Sequence, residues 1–490
     1  MAKIKGNKKN NKLKGSKHKD KIIGAAGNDV LKGKAGDDKL LGGAGDDILD
    51  GGDGNDVMKG GGGNDLFIAG VGADFFIGGK GIDTVSFAAN AFGITVELLL
   101  QTSTQGGLRD GFSGIENIDG SAFGDTIEGD GADNHFRGFG GKDYLKGGDG
   151  NDILDGGEGD DQLYSDKGAD KLIGGNGYDS VVYEKETSGA VIDLATGIGG
   201  GSAAGDTFSS IERVFATKYA DTVKGTGAGE AFFGEGGNDT LYGNGGNDTL
   251  FGGAGMDTLY GGSGNDRFFP EGDKVEADHL YGGSGSDWAD YSDAGAAVTV
   301  LLYANSSDGR AKGDIYQSIE SVEGSDYDDF LAPANNGRAY GGWGDDIVID
   351  AGGTEILRGG RGDDLLSDNF ISADDGFRDI FVLEVGLGMD TVSGFTQSSD
   401  QTGDRFWLPK AQFDDLDFNA NGILAAGTQV HNKVNDNAAT TGAAQLIFQQ
   451  NTKILWYDAD GTGAAAPVAI AKILGLNSIQ TYDFVVVPDM

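Results

Sequence analysis

Aspartate recurs every nine residues through much of this chain, and a regular array of carboxylates suggests metal binding. From Gly24 to Ser86 the sequence divides into seven consecutive rows of nine residues, and the sixth place of every row is aspartate. If the rows stack about 4.8 Å apart, as neighbouring β-strands do, their carboxylates form columns of like charge. Two carboxylates at that separation repel each other by roughly 1 kcal/mol even in water. Such columns therefore need cations.

The residue types indicate the class of cation. Carboxylate oxygens, with the carbonyl oxygens of the glycines at places one and four of most rows, are hard ligands that suit Ca²⁺ better than a transition metal. We therefore predict several Ca²⁺ ions held by place-six aspartates and glycine carbonyls. The predicted aspartates are Asp29, Asp38, Asp47, Asp56, Asp65, Asp74, Asp83, Asp143, Asp152, Asp161, Asp170, Asp179, Asp239, Asp248, Asp257, Asp266, Asp287, Asp346 and Asp364. The predicted glycines are Gly42, Gly45, Gly51, Gly54, Gly147, Gly150, Gly156, Gly159, Gly243, Gly246, Gly252 and Gly255.

The same rows predict the elements that position these residues. The residue two places after each aspartate is apolar, which predicts a very short strand with one side chain pointing inward. A strand of about three residues is unstable alone, but many such strands stacked at a fixed period form a continuous thin core. A disordered glycine-rich linker is the alternative, but disorder would not keep an apolar residue in phase.

These rows resemble the G-G-x-G-x-D-x-U-x repeat of the RTX (repeats-in-toxin) family, and GGAGDDILD at residues 42–50 matches it at every defined place. The resemblance implies a parallel β-roll in which two rows form one coil and Ca²⁺ lies between the loops of neighbouring coils. It also implies export in one step by a type I exporter that reads an uncleaved C-terminal signal. The expected location is therefore extracellular or at the cell surface.

The nine-residue period breaks three times, with the same length and order of residues each time. Each link begins with an aromatic residue, continues with an alternating strand pattern, and passes an aspartate and an Ile-Glu pair, which predicts one ordered β module used three times. The aspartates that flank each break are 42 residues apart and are Asp83 and Asp125, Asp179 and Asp221, and Asp287 and Asp329. The predicted segments are basic degenerate repeats at 1–23, repeat blocks at 24–86, 120–182, 216–290 and 324–367, links at 87–119, 183–215 and 291–323, and a C-terminal cap at 368–490.

The last segment carries short strand patterns instead of rows. It resembles the C-terminal domain of serralysin-type proteases and of other type I exported RTX proteins. Within it, residues 458–461 are either a further oxygen-ligand turn or a plain Asp-Gly turn. Residues 483–487 form the export signal, a closing edge strand, or both. The predicted fold class is all-β: a parallel β-roll or β-solenoid interrupted by three equal β links, with a C-terminal antiparallel β cap.

The first 23 residues hold nine lysines and one acid, in a chain whose net charge is −41. A disordered basic arm is the ordinary interpretation, but Ile4, Leu13 and Ile22 keep the apolar phase of the rows. We expect degenerate rows that form an N-terminal cap. Their lysines either hinder end-to-end stacking or anchor the chain to acidic cell-surface polysaccharide or lipopolysaccharide. The candidate anchors are Lys8, Lys9, Lys12, Lys14, Lys17 and Lys19.

Composition excludes several classes of protein. The chain has 490 residues with 92 glycines and only 5 prolines, which fits neither collagen nor a proline-rich linker. Cysteine is absent, so disulfides and thiol chemistry are excluded. No apolar run reaches the roughly 18 residues of a membrane-spanning helix, and the N-terminus lacks the apolar stretch of a secretory signal peptide. The acidic charge leads us to expect no nucleic-acid partner.

The motifs of enzymes that carry such repeats are missing from the sequence. No H-E-x-x-H zinc motif and no G-x-S-x-G nucleophile turn occurs, and the four histidines are His18, His135, His279 and His431. We therefore expect no enzyme but a secreted calcium-binding protein that self-associates as a structural or adhesive component of the cell surface, closest in kind to RTX surface-layer and matrix proteins. One alternative is a polysaccharide-modifying enzyme or carbohydrate-binding module, in which Trp288, Trp343 and Trp407 would stack on sugars. Another is an isolated export carrier or diffusible signal protein.

Overall fold

The computed structural model is built almost entirely of β-strands, which confirms the predicted fold class. It describes residues 2–105, 107–183, 185–270 and 276–368 and, after these, residues 379–384, 388–393, 395, 397, 404–409, 412–413, 430–433, 445–450, 452–458, 467–474, 476, 479–480 and 483–487. Within these residues the one helix is a single 3₁₀ turn, Leu302–Ala304, and no helix has the length and apolarity to cross a membrane. The chain divides into two compact units, Met1–Thr226 with Glu230–Glu235, and Gly227–Gly229 with Gly236–Met490.

Two rows form one coil of the solenoid. In the first unit the strand Lys39–Ala44 pairs in parallel with Val57–Gly62, so that each residue lies beside the residue 18 places later. The intervening row forms a strand of the opposite sheet, Ile48–Asp53, which pairs with Leu66–Ile68. Alternate rows therefore build two facing parallel sheets, as the resemblance to RTX repeats implies.

Many strands are longer than the three residues predicted. Leu66–Ile68 has the predicted length, but Lys39–Ala44 runs for six residues because the glycines after the triplet also align with the neighbouring coil. Glycine is required there, since Gly43 has a φ of +131° and a Cβ at this position would overlap the carbonyl oxygen of Ala25. The repeated glycines thus let two backbones pair where side chains would keep them apart.

The first unit contains two series of stacked strands. One series comprises Lys3–Lys5, Lys21–Ala26, Lys39–Ala44, Val57–Gly62, Phe75–Lys80, Thr126–Glu128, Tyr144–Lys146, Gln162–Tyr164, Ser180–Val182, Arg213–Phe215 and Ala231–Phe233. The other comprises Lys12–Lys14, Val30–Ala35, Ile48–Asp53, Leu66–Ile68, Thr84–Ser86, Asn117–Asp119, His135–Gly140, Ile153–Glu158, Lys171–Asn176 and Thr222–Lys224. The lysine-rich strands Lys3–Lys5 and Lys12–Lys14 pair in parallel with Lys21–Ala26 and Val30–Ala35, so this segment is part of the solenoid.

The second unit has strands of the same kind in three series. One comprises Thr240–Gly245, Thr258–Ser263, His279–Ser284 and Ile315–Gln317. Another comprises Thr249–Phe251, Arg267–Phe269, Trp288–Asp290, Ser321–Glu323, Arg338–Trp343, Ile356–Arg361, Ile380–Val382, Arg405–Pro409 and Phe484–Val487. The third comprises Phe330–Ala332, Ile347–Ile349, Leu365–Ser367 and Asp390–Ser393.

Parallel stacking extends past residue 367, where the sequence period ends. Ile380–Val382 pairs in parallel with Arg405–Pro409, which pairs in parallel with Phe484–Val487. The last of these is the closing edge strand that the sequence suggested. Stacking can continue because it needs only an inward apolar residue in each strand, whatever the length of the connection between strands.

The C-terminal sheet also contains the antiparallel strands that were predicted. Gln445–Gln449 pairs antiparallel with Ile454–Asp458, which pairs antiparallel with Val468–Ile473. Val430–Lys433 is parallel to the first of these strands. Of the predicted oxygen-ligand turn, residues 459–461 lie outside the described residues.

Each link inserts antiparallel strands between two coils of one sheet. In link 1, Leu108–Ser113 is parallel to Phe75–Lys80, Thr102–Gln105 runs antiparallel beside it, and Ile94–Glu97 is antiparallel to that strand and parallel to Thr126–Glu128. The opposite sheet passes the link without interruption. Links 2 and 3 have the corresponding strands Ala190–Asp193, Ile198–Gly201, Thr207–Ser209, Val298–Leu301, Ser306–Gly309 and Ile315–Gln317.

The core is a narrow line of single inward side chains, one from each row. Leu31, Leu40, Leu49, Met58 and Phe67 come from five successive rows, and all are fully buried. Burial of one such side chain stabilises the fold by about 1.5–3 kcal/mol. Because a nine-residue row contributes only one of these side chains, the polar half of the row must contribute stability as well.

Candidate functional site

Backbone amides and carboxylates of the place-six aspartates form hydrogen-bonded columns. The N–H of Asp29 donates to Oδ1 of Asp47, and that of Asp47 donates to Oδ1 of Asp65, at 2.7 and 2.8 Å. The alternate rows form a second column of the same kind, for example from Asp38 to Asp56 at 2.6 Å. Each carboxylate therefore accepts an N–H from the coil before it, and each coil depends on the acid 18 residues later.

The second carboxylate oxygen of most column aspartates is buried and, among the described residues, has no hydrogen-bond partner. These aspartates are at most 2% exposed, and a buried charged oxygen without a partner is costly. A bound cation would supply the missing interaction. The atoms are Oδ2 of Asp29, Asp38, Asp47, Asp56, Asp65, Asp83, Asp143, Asp152, Asp161, Asp179, Asp257, Asp266, Asp287, Asp346 and Asp364.

The place-one glycines leave an oxygen-lined space beside these Oδ2 atoms. A Cβ at Gly42 would overlap Oδ2 of Asp47 and lie 2.8 Å from the carbonyl oxygen of Gly60 in the next coil. Carboxylate and carbonyl oxygens thus converge where any other residue would place a carbon atom. This all-oxygen donor set fits a hard cation such as Ca²⁺. The same arrangement occurs at Gly24, Gly33, Gly138, Gly156, Gly243 and Gly341.

The place-four glycines, whose carbonyls are also predicted ligands, have a conformational role as well. Each lies in the loop between two strands with a φ between +102° and +142°, a backbone conformation that favours glycine. They therefore shape the loop that carries the aspartate. These glycines are Gly45, Gly54, Gly150, Gly159, Gly246 and Gly255.

Burial and mutual repulsion raise the pKa of the column carboxylates. Burial and then the charges of Asp74 and Asp38 raise the pKa of Asp56 to about 7, against the lowering effect of a backbone hydrogen bond. Burial, followed by neighbouring aspartates, raises the pKa of Asp143 and of Asp346 to about 8. Without a cation, protons therefore neutralise part of each column near neutral pH.

Four further column aspartates are satisfied by a hydroxyl side chain. Ser121 donates its N–H to Oδ2 of Asp125 at 2.5 Å and its hydroxyl to Oδ1 at 2.9 Å, and the N–H of Ile94 also donates to Oδ1. A serine or threonine four residues earlier also donates its N–H and its hydroxyl to the carboxylate in the first row after each link and near the N-terminus, where both bonds go to Oδ2. We call these residues the hydroxyl-capped aspartates: Asp20, Asp125, Asp221 and Asp329. A Ser/Thr-x-x-x-Asp spacing was the sequence signal for them.

The links supply the acids that end the columns, here called the closing acids. The N–H of Asp74 donates to Oδ1 of Asp110 at 2.9 Å, and the N–H of Asp83 donates to Oε2 of Glu116. The aspartate and the glutamate of the Ile-Glu pair therefore recur in every link because they accept the last backbone N–H groups of the columns. The closing acids are Asp110, Glu116, Asp206, Glu212, Asp314 and Glu320.

The aromatic residue that begins each link explains a second part of the pattern. Tyr291 is fully buried and donates its hydroxyl to Oδ2 of Asp314 at 2.6 Å, and Tyr183 does the same for Asp206 at 2.7 Å. Link 1 begins with Phe87, which has no hydroxyl. There the equivalent Oδ2, of Asp110, accepts hydrogen bonds from Ser103 and Gln105 instead, at 2.8 and 3.1 Å.

Each link also supplies a backbone carbonyl. This carbonyl takes the place of the one that a place-one glycine of the next coil supplies elsewhere. A Cβ at Gly78 would overlap both Oδ2 of Asp83 and the carbonyl oxygen of Gly114. Gly114, Ser210 and Ser318 have φ values of +61°, +53° and +54° and directly precede the Ile-Glu pairs. The last aspartate of each block therefore keeps an oxygen-lined space although the next row is absent.

Two predicted metal ligands differ from the rest. Oδ2 of Asp170 accepts a hydrogen bond from the hydroxyl of Ser165, at 3.0 Å, because serine occupies place one of that row. Asp74 lies in a row with alanine, Ala69, instead of glycine at place one, although its Oδ2 is also buried without a hydrogen-bond partner among the described residues. Asp239 and Asp248 lie in columns, where their N–H groups donate to Asp257 and Asp266.

The six candidate anchor lysines are all exposed. Lys12 and Lys14 flank the inward Leu13 of a strand, whereas the other four lie outside the strands in the loops of these rows. Lys19 approaches Asp37, with 4.0 Å between Nζ and Oδ2. The lysines are therefore displayed from ordered rows.

A comparison with family models identifies the repeat. The model described as the RTX calcium-binding nonapeptide repeat (4 copies) matches residues 3–31, 23–58, 50–85, 110–145, 119–154, 137–172, 146–181, 207–241, 233–268, 276–291 and 340–367, together more than half of the chain. The chain belongs to this family. No curated protein matches it significantly. The RTX match begins within the lysine-rich rows, and two of its stretches start at or beside closing acids, at residues 110 and 207.

Proposed function

We propose that this RTX protein is secreted, binds Ca²⁺ along its aspartate columns, and acts without catalysis as a structural or adhesive component of a surface layer or extracellular matrix. The observation that carries the proposal is the set of buried Oδ2 atoms that face the place-one glycines. Ca²⁺ bound there would join adjacent coils and remove the repulsion within each column. Free Ca²⁺ is scarce in the cytosol, so a fold that depends on it would form outside the cell.

The first experiment tests whether folding depends on calcium. Circular dichroism of the full chain should show β structure in excess Ca²⁺ and mostly coil in excess chelator, with recovery when Ca²⁺ is restored. A β spectrum that is unchanged in chelator would show that the columns are stable without metal, and the proposal would fail.

An apolar surface formed by the first repeat block and link 1 supports self-association. Val71, Phe92 and Leu108 are 67%, 55% and 40% exposed and line one cleft of about 480 Å³ with Ala91. Exposed apolar residues that share a cleft indicate an interaction site more strongly than residues scattered singly. We propose that this surface contacts another copy of the chain.

Electron microscopy and light scattering in Ca²⁺ test this step. The parent should form ordered sheets or filaments, and V71S/F92S should remain monomeric with an unchanged circular dichroism spectrum. Met256→Ser removes an equally exposed apolar residue, 57% exposed, and serves as the control. If the parent stays monomeric at high protein concentration, or the double variant assembles like the parent, the self-association proposal is wrong.

Export is proposed to depend on the C-terminus. Deletion of residues 483–490 should leave the protein inside the cell, whereas Asp56→Ala, which changes a column aspartate, should be secreted. Because the deletion also removes the strand Phe484–Val487, a circular dichroism spectrum in Ca²⁺ must accompany it. Normal secretion of the truncated chain would show that the signal lies elsewhere.

A second candidate function is carbohydrate binding, favoured by a cleft in the second unit. The cleft holds about 300 Å³ and is lined by Tyr340, Trp343, Arg358 and Arg361 among others. Trp343 is 54% exposed, and the guanidinium of Arg361 lies 4.7 Å from its ring centroid. An aromatic face beside a cation suits an acidic sugar.

The cleft can be tested with acidic polysaccharides. Binding should fall at least tenfold in W343A and should not change in Tyr219→Ala, which removes an exposed aromatic ring outside the cleft lining. If the parent binds no acidic polysaccharide, or W343A binds as well as the parent, this candidate is excluded.

A further inference from the structure

Three buried carboxylates outside the predicted metal set meet near the end of the last repeat block. Oxygens of Asp350, Asp368 and Asp379 lie within 4.8 Å of one another, and all three side chains are buried. Asp350 follows the strand Ile347–Ile349, and Asp368 follows the stacked strand Leu365–Ser367. Both aspartates stand at place one of a row, where most rows have glycine. A side-chain carboxylate is therefore present where the other rows offer a backbone carbonyl.

Glu355 adds a fourth carboxylate that is oriented toward the other three. It is 0% exposed and stands at place six of its row, where other rows have aspartate. Its N–H donates to Oδ1 of Asp379 at 3.0 Å, and its Oε1 accepts the N–H of Asn336 at 2.8 Å. The carboxylate of Glu355 contacts those of Asp350 and Asp379.

Two oxygens of this group have no partner within the described part of the chain. These are Oε2 of Glu355 and Oδ2 of Asp379, both on side chains that are fully buried. Native proteins seldom leave buried charged oxygens unsatisfied. The unsatisfied oxygens therefore point to a ligand that is positive and small, because the space lies inside the solenoid.

The electrostatics agree with this interpretation. Burial, followed by the charges of Asp404, Asp379 and Asp350, raises the pKa of Asp368 to about 9. Buried carboxylates this close together repel one another, and a cation held between them would offset that repulsion.

We propose that Asp350, Glu355, Asp368 and Asp379 form a site for one hard divalent cation of the Ca²⁺ class. The site goes beyond the proposed function because it lies outside the nonapeptide donor set. Its ligands are side-chain carboxylates alone, contributed by two stacked rows and by the residue before Ile380–Val382. It would join the last full rows of the repeat to the first strand that follows them.

A crystal structure of the full chain in Ca²⁺, with anomalous data collected at long wavelength, tests the site directly. An anomalous peak in contact with at least three of the four carboxylates is expected. Peaks along the columns without one at this position would overturn this inference and leave the proposed function intact. No peak at either position would contradict both.

Calcium stoichiometry in solution gives an independent test. D350N/D368N should bind one Ca²⁺ fewer per chain than the parent by equilibrium dialysis. D345N/D363N, which changes exposed aspartates of the rows that directly precede Asp350 and Asp368, should bind the same number as the parent. If D350N/D368N folds and binds as many ions as the parent, the inference is wrong. If it does not fold, the anomalous data decide.

Discussion

The backbone N–H of Asp83 donates a hydrogen bond to Oε2 of Glu116, 33 residues further along the chain, at 2.8 Å. In the complete rows this acceptor is an aspartate 18 residues away. At the end of the block no such row follows, and the glutamate of link 1 takes its place. The link therefore completes the coil that it interrupts.

This relationship predicts that Glu116→Ala destabilises the protein in Ca²⁺ by about 1–3 kcal/mol, because a buried N–H loses its acceptor. Glu116→Gln should cost less than about 1 kcal/mol, since an amide oxygen still accepts the bond. Denaturant unfolding of both variants gives these values. Glu128→Ala, in the strand that follows link 1, is the control and should remain close to the parent. Equal stability of Glu116→Ala and the parent would refute the role of the closing acid.

Tyr291→Phe removes the hydroxyl that donates to Asp314. We expect a loss of about 1–3 kcal/mol, because a buried carboxylate oxygen loses its donor. Tyr303→Phe deletes a more exposed hydroxyl in the same link and should be neutral. Thermal unfolding in Ca²⁺ distinguishes the two variants, and similar melting temperatures for both would contradict the prediction.

Asp56 and Asp125 should respond differently to replacement by asparagine. Asp56→Asn removes a carboxylate whose buried Oδ2 lies beside Gly51 and has no hydrogen-bond partner among the described residues, so it should bind less Ca²⁺ and lose stability mainly when Ca²⁺ is present. Asp125→Asn changes a hydroxyl-capped aspartate, so Ca²⁺ content should match the parent while stability falls. Ca²⁺ analysis after dialysis, with thermal unfolding at two Ca²⁺ concentrations, tests both. A loss of Ca²⁺ from Asp125→Asn would show that hydroxyl-capped rows also bind metal.

Calcium affinity should rise with pH. Burial, followed by neighbouring aspartates, raises the pKa of Asp56 and of Asp65 to about 7. In the metal-free protein these groups bind protons more tightly when folded than when unfolded. Their contribution to the stability of that form is therefore complete below about pH 4 and is lost as pH rises through about 7.

Ca²⁺ must displace those protons, so titrations should show weaker binding at about pH 6 than at about pH 8, with proton release in weak buffer. Affinity that does not change with pH, or binding without proton release, would count against ionised columns as the ligands.

The lysine-rich rows should bind acidic cell surfaces through exposed charge. Replacement of Lys8, Lys9, Lys12, Lys14, Lys17 and Lys19 by glutamine should weaken binding to cells at fixed Ca²⁺, and binding of the parent should fall as salt rises, because exposed charges are screened beyond about 8 Å at physiological ionic strength. A control variant with three exposed lysines outside these rows changed to glutamine, Lys39, Lys59 and Lys80, should bind like the parent. If the six-lysine variant folds and binds equally well, the lysines only cap the solenoid.

The solenoid and the positions of its aspartates follow from the sequence because one period encodes both. Leu40 and Asp38 recur at fixed places, and an inward side chain and a loop carboxylate must then stack on their equivalents in the next coil. The prediction that residues 1–23 form rows of the solenoid rests on the same period, because Ile4 and Leu13 occupy its apolar place despite their charged neighbours.

What the sequence did not reveal depends on contacts between residues far apart in the chain. The sequence shows that Glu116 and Asp110 recur in the links, but it does not show that they accept hydrogen bonds from the last aspartates of the columns. That contact depends on the antiparallel strands of the link. The cluster of Asp350, Glu355 and Asp379 was missed because these acids stand at or beyond irregular rows, where the nine-residue template has no place for them.

The hydrogen bonds of each column all run in one direction, from the N–H of one aspartate to the carboxylate of an aspartate later in the chain. This direction limits where the chain can be shortened or extended. A block begins with a hydroxyl-capped aspartate, which accepts hydrogen bonds from the serine or threonine of its own row and one N–H from whichever link precedes it, and it ends with amide groups that need the closing acids of the following link. The natural cassette is thus a block together with the link after it, for example residues 120–215. A gene that gains or loses whole cassettes would change the length of the protein without leaving an open polar end, whereas a cut between a block and its link would expose one.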